Sequence, residues 1–171
     1  MMSRSLHWVV AAALLVIYVC GSLIFLYGPS KELNLVHWHQ PVGVFVFVLT
    51  IWRLVMWLRV KKGETGRGIK HFLSSFTLPH YVQFGLLISC LLMPIFGVLM
   101  AFFGGYSLHL GFAEIPSFLP KNKEAADFFY LAHNSLAFFL VCLICLHIAG
   151  AIKAHFAKKA LQKKLDALLK M

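Results

Sequence analysis

Two histidines near the carboxyl end of the chain, His133 and His147, have a spacing that suits metal chemistry. They stand fourteen residues apart in one apolar stretch. In an α-helix, fourteen residues rise about 21 Å and complete nearly four turns, so both imidazoles lie on almost the same face. A membrane-spanning helix of this kind would offer one metal ligand near each face of the bilayer.

Other apolar stretches carry histidines at matching depths. Depth matching predicts two pairs, His39 with His133 near one membrane face and His7 with His147 near the other. A haem iron held by two imidazoles has no open position for a substrate, and it is suited to passing single electrons. The spacing therefore predicts two haems at two levels of the membrane, about 20 Å apart.

The elements that position these histidines are predicted to be membrane-spanning helices. Sixty per cent of the 171 residues are hydrophobic and 13 per cent are charged, a balance that a water-soluble core could not use. We predict an all-α integral membrane four-helix bundle, which forms a single domain over residues 1–171 and ends in a basic tail over 153–171. Four stretches are long enough to cross a hydrocarbon core of ~30 Å: 6–27, 38–58, 80–103 and 128–152.

The net charge of +10 would suit nucleic acid, but the placement of the charges predicts membrane topology instead. One side of the membrane has two acids, Glu64 and Asp166, and a large excess of bases, so by the positive-inside rule both termini are cytoplasmic. We expect no nucleic-acid partner, and we expect the tail to be an interfacial amphipathic helix on anionic lipid. The bases on that side are Arg4, Arg53, Arg59, Lys61, Lys62, Arg67, Lys70, Lys153, Lys158, Lys159, Lys163, Lys164 and Lys170.

The predicted haems are not covalently attached. Covalent attachment uses a C-x-x-C-H motif, and after Cys142 and Cys145 the histidine, His147, comes one place too late. These cysteines, with Cys20 and Cys90, lie in apolar helical stretches, where free cysteine behaves as a small hydrophobic residue. No disulfide framework is predicted.

The chain resembles the bacterial dihaem cytochrome b561 family of the inner membrane over nearly its whole length. Within that family the pattern is most similar to the four-helix superoxide oxidases, which pass electrons from periplasmic superoxide to ubiquinone. The matching features are Leu6-His7-Trp8 in the first stretch, His39 with Gly43 and Arg53 in the second, His80 with Pro94-Ile-Phe-Gly97 in the third, and His133, His147 and His155 in the fourth.

The resemblance implies a four-helix bundle with two non-covalent b haems between the helices. His39 is preferred to His37 as a ligand because the family has glycine four residues after the ligand, and Gly43 meets this whereas position 41 is proline. A glycine there would let a flat macrocycle approach the backbone. The implied axial ligands of the haem irons are His7, His39, His133 and His147, in the two pairs given above.

The resemblance also implies quinone or haem-propionate contacts at His80, Arg53 and His155. An equal alternative for Arg53 is that its side chain makes no such contact and extends its charge to the cytoplasmic interface. The chain departs from the superoxide oxidases at two positions, because Ala154 replaces the first of two adjacent histidines and Gln83 replaces another. Either departure could alter a quinone or proton site.

Three functions remain open from the sequence. The favoured one is an inner-membrane oxidoreductase that transfers electrons from periplasmic superoxide to ubiquinone. The second is an electron-transfer subunit for a dehydrogenase or hydrogenase, and the third is a non-redox membrane protein with structural or zinc-binding histidines. The expected partners are the lipid bilayer, quinone and superoxide, with a redox partner protein or a homodimer as further candidates.

Electrostatic steering of superoxide has no support in the sequence. The side opposite the tail sums to about −1, from three bases and four acids. Folding could still cluster the three bases, Lys31, Lys121 and Lys123, near the outer haem.

Overall fold

The computed structural model describes residues 4–28, 35–64 and 78–169, and within them the chain is almost entirely helical. All four helices are long and apolar enough to cross a membrane. The prediction of an all-helical chain with four membrane-length helices is therefore confirmed. The helices are α1 (Arg4–Tyr27), α2 (Leu35–Glu64), α3 (Leu78–Phe103) and α4 (Lys123–Leu168).

The helices bury few side chains and expose many large apolar ones. Between 6% and 22% of the most apolar window of each helix is buried. Leu15, Phe138 and Leu146 are among the large apolar residues that are more than half exposed. Exposed apolar surface of this extent suits contact with lipid rather than water. The chain is a multi-pass membrane protein.

The helices pack in chain order. α1 lies against α2, α2 against α3, and α3 most extensively against α4. Among the described residues, the backbone of α4 has scarcely any close approach to α1 or α2. Side chains therefore span the space between α4 and the α1–α2 pair.

A short β-hairpin between α3 and α4 was not expected from the sequence. Strand β1 (Leu108–His109) pairs antiparallel with β2 (Glu114–Ile115), and His109 lies opposite Glu114. The turn between them contains Gly111 with φ of 88°, a conformation that other residues rarely adopt. We call this end of the bundle the hairpin end, and the opposite end, where α1 and α3 begin, the tail end.

Helix α4 is one uninterrupted helix of 46 residues, so it includes most of the predicted tail. It does not end near residue 152, because residues 151–169 contain no glycine or proline and are rich in the strong helix formers alanine, leucine and lysine. Its length of about 69 Å exceeds the ~40–45 Å of a bilayer with its headgroups. Every residue from 148 to 169 is exposed.

The continuity of α4 predicts a long distance between spin labels placed on either side of Gly150. Labels at Ser135 and Lys159, in protein whose native cysteines are replaced by alanine, are separated by 24 residues. We expect one narrow distance distribution near 36 Å by pulsed electron paramagnetic resonance, before allowance for the label linkers. A pair at Ser135 and Ile148 is the control within the spanning part. A clearly shorter or broad distribution for the first pair alone would show that α4 bends at the membrane surface.

Candidate functional site

The structure brings the first predicted histidine pair together near the hairpin end. The ring centroids of His39 on α2 and His133 on α4 lie 6.2 Å apart, with their planes at 66°. Both residues are partly buried in the space between these two helices. The distance is set by side chains, because the two backbones are not packed against each other.

The second predicted pair meets nearer the tail end. The ring centroids of His7 on α1 and His147 on α4 lie 6.1 Å apart, with their planes at 54°. The indole of Trp8 lies 5.7 Å from the His7 ring. The two pairs are therefore separated by the fourteen residues of α4 between their α4 members, about 21 Å along the helix.

The separation within each pair suits two imidazoles on opposite sides of one metal. A metal–imidazole bond of about 2 Å, with about 1 Å more to the ring centre, places the two centroids roughly 6 Å apart. Direct stacking gives a shorter distance, as in His37 and His109, whose centroids lie 4.1 Å apart. The residues present thus fit a group that takes one imidazole on each face, which is the ligation of a bis-histidine haem.

The number of ligands also fits haem better than zinc. Among residues 4–28, 35–64 and 78–169, no three His, Cys, Asp or Glu side chains form a group that could hold a metal ion. Protein zinc sites use three or four such ligands, whereas a haem iron in its macrocycle needs two. Each pair supplies two.

A hydrogen bond orients His133. Its Nδ1 lies 3.0 Å from the backbone carbonyl oxygen of Met93 on α3. Because a carbonyl can only accept, Nδ1 carries the hydrogen and Nε2 is the nitrogen left to bind a metal. Metal-binding histidines usually have such a second partner, which fixes the ring and raises its basicity.

Two glycines make room for the imidazoles of the same pair. A Cβ added at Gly97 on α3 would lie 3.2 Å from Cε1 of His133, and one at Gly21 on α1 would lie 3.1 Å from Cε1 of His39. Sequence reasoning included Gly97 only as part of a family pattern, and it missed Gly21. A glycine inside an apolar helix was the available signal.

Gly43 on α2 lies against α1. We predicted that this glycine makes room for a macrocycle beside His39. In the structure Gly43 is buried, and a Cβ there would lie 3.2 Å from Cδ1 of Ile17 on α1. It therefore lets α1 and α2 approach each other.

The ring of His39 lies beside the backbone of α1. Its Nδ1 is buried and has no partner in hydrogen-bond geometry among the described residues, although the backbone of Ile17 interacts electrostatically with the ring. Buried polar atoms in native proteins nearly always have a partner. The Ile17 backbone is the group placed to satisfy this ring.

Arg53 lies near the tail-end pair. Its guanidinium interacts electrostatically with His147 and with Cys90. In the part of the chain that the structure describes, no carboxylate forms an ion pair with Arg53. A guanidinium at this position can pair with an anionic group or extend to the membrane interface.

The other two predicted contact residues are exposed. His80 is exposed at the start of α3, and Gln83 is exposed one turn later. His155 is exposed on α4, eight residues or about 12 Å beyond His147, beside Lys158 and Lys159. The structure brings Arg53 towards a histidine pair but not His155.

Membrane-length helices with two imidazole pairs between them are typical of membrane haem proteins. The chain belongs to the prokaryotic cytochrome b561 family, whose sequence model matches residues 1–164. No curated protein matches the chain significantly. The family consists of membrane electron-transfer proteins that typically bind b-type haem. The predicted family is thus confirmed at this level.

The close contact at Gly97 predicts a selective effect of a larger side chain. Gly97→Val places methyl groups where the His133 ring now lies, so we expect the b-type haem content of purified protein to fall by about half. Gly150→Val is the matched control, because a Cβ at Gly150 meets no atom within 4 Å. Haem contents that are equal in the two variants would show that the His133 ring does not need this space.

Proposed function

We propose that the chain is a dihaem b-type cytochrome that moves single electrons across the inner membrane. His7 and His147 would hold one haem, and His39 and His133 would hold the other. The observation that carries the proposal is the separation of about 6 Å in both predicted pairs, in a chain of the cytochrome b561 family. Family membership leaves the non-redox alternative without support.

The protein's own task in this proposal is placement. Each haem, when bound, supplies an iron that accepts and releases one electron. The Met93 carbonyl fixes the tautomer and orientation of His133, and Gly21 and Gly97 let the imidazoles of the hairpin-end pair lie close to neighbouring helices. Arg53 is placed to neutralise an anionic group such as a haem propionate beside the tail-end pair.

The orientation in the membrane follows from the charges. Helix α1 begins and α4 ends at the tail end, to which the sequence assigns most of the lysines and arginines, so the positive-inside rule places that end in the cytoplasm. The hairpin end then faces the periplasm. Electrons that enter at the His39–His133 pair would leave through the His7–His147 pair.

The favoured donor and acceptor are periplasmic superoxide and ubiquinone. One superoxide loses one electron and becomes dioxygen, so two superoxides and two protons convert one quinone to its quinol. The likeness to the superoxide oxidases supports this pair. The charges do not, since Lys121 and Lys123 are outnumbered by Glu114, Glu124 and Asp127, and Lys31 lies outside the described residues.

A second candidate is an electron-transfer subunit for a dehydrogenase or hydrogenase. The observation that favours it is the last part of α4, where apolar side chains are exposed. Leu161, Leu165 and Leu168 are 69%, 55% and 69% exposed, respectively. An exposed apolar stripe of this kind is what a partner protein would cover.

Removing one ligand should remove one haem. We expect His147→Ala to lower the haem content from two to about one per chain, because the His39–His133 pair shares no residue with the tail-end pair. Pyridine-haem quantification measures this, and His155→Ala, at an exposed position outside both pairs, is the control. A content of two haems in His147→Ala would rule out His147 as a ligand.

Superoxide as donor makes a kinetic prediction. A pulse of superoxide should reduce the haems of purified protein, superoxide dismutase should abolish the reduction, and added ubiquinone should reoxidise them. Because the hairpin-end side carries no net positive charge, we expect the rate to be the same or higher at higher salt. Slow reduction that dismutase leaves unchanged would exclude superoxide and favour the partner-subunit function.

A further inference from the structure

The hairpin between α3 and α4 holds the first turn of α2 at two points. The Gln40 side-chain oxygen accepts a hydrogen bond from the backbone N–H of His109, at 2.8 Å. The His37 and His109 imidazoles are stacked, with centroids 4.1 Å apart and planes at 25°. These two contacts come from residues on either side of His39 in the sequence.

The two contacts use faces of α2 that His39 does not use. Residues two apart in a helix point about 200° away from each other. His39 points towards His133 on α4, so His37 points away from the pair and towards the hairpin. The Gln40 side chain points about 100° further around the helix axis than the His39 side chain. The hairpin thus holds the helix turn from outside while His39 faces inwards.

Pro41 weakens the hydrogen bonding within this turn of α2, so contacts from outside the helix matter more for its position. Proline has no backbone N–H, so the carbonyl of His37 loses its partner in the helix, and the proline ring crowds the same carbonyl. The turn that carries His39 is therefore less firmly held by the helix itself. A rotation of about 20° would move an imidazole some 6 Å from the helix axis by about 2 Å, a large fraction of the gap between His39 and His133.

We propose that the hairpin is a clasp that fixes the position of His39, with Gln40 and His37 as positioning residues for the hairpin-end pair. The proposal rests on the proposed function, since it takes His39 as a haem ligand. It gives His37 a role although His37 is not a ligand. The clasp joins α2 to the α3–α4 connection, and the backbones of α2 and α4 are not closely packed.

Three variants test the clasp. Gln40→Met keeps the length of the side chain and removes the acceptor, whereas Gln40→Glu keeps an acceptor oxygen. Ser117→Ala is the matched control, because the Ser117 hydroxyl belongs to the same connection but donates to the carbonyl of Phe102 on α3, at 2.8 Å. All three are made in the His147→Ala background, so that the hairpin-end haem alone contributes to the spectrum.

Two measurements are compared across these variants. Hydrogen exchange of the His109 amide should become about fivefold faster in Gln40→Met and stay unchanged in the other two. The low-spin electron paramagnetic resonance signal of the haem depends on the angle between its imidazole planes. It should shift in Gln40→Met, keep its wild-type position in Ser117→Ala, and return close to that position in Gln40→Glu.

The outcomes separate the clasp from the proposed function. If Gln40→Met does not accumulate, His37→Leu, which removes the stacked ring, takes its place. An unchanged haem signal in the variant that accumulates overturns the clasp, whether or not the amide exchanges faster. Wild-type protein without haem overturns both proposals, whereas wild-type protein with two haems and an insensitive signal overturns the clasp alone.

Discussion

An imidazole inside a membrane is costly unless another group satisfies its nitrogens, and this constraint shapes the centre of the molecule. Helix α4 carries two such imidazoles, His133 and His147, and each has a second histidine about 6 Å away. The distance is too long for direct stacking and suits one metal between the rings. Because α4 is a continuous helix, its rise fixes the two levels at about 21 Å apart.

The neighbouring helices and the hairpin make more contacts with the hairpin-end histidine pair than with the tail-end pair. At the hairpin end, α3 supplies the Met93 carbonyl and the space at Gly97, α1 supplies the space at Gly21, and the hairpin holds α2. At the tail end, the side chains are less enclosed, and the distinctive feature is the charge of Arg53 near His147. Firm placement near the hairpin end and a positive charge near the tail end would allow the two proposed haems to differ in potential.

The sequence predicted what depends on helix geometry. The rise per residue and the lengths of the apolar stretches were sufficient to place His7 beside His147 and His39 beside His133. The contacts of Gln40 with His109 and of Gly21 with His39 could not be predicted in this way, because they join distant parts of the chain through loop and side-chain conformation. The continuation of α4 beyond residue 152 could have been predicted from the sequence, since residues 151–169 have strong helix formers and no glycine or proline.

The central claim is that two haems lie between the helices, each held by one of the histidine pairs. The most direct measurement is the reduced-minus-oxidised visible spectrum of freshly purified wild-type protein, combined with its haem-to-protein ratio. We predict a b-type spectrum and two haems per chain. A spectrum without a b-type signal, or a fully loaded protein with a single haem, would contradict the claim.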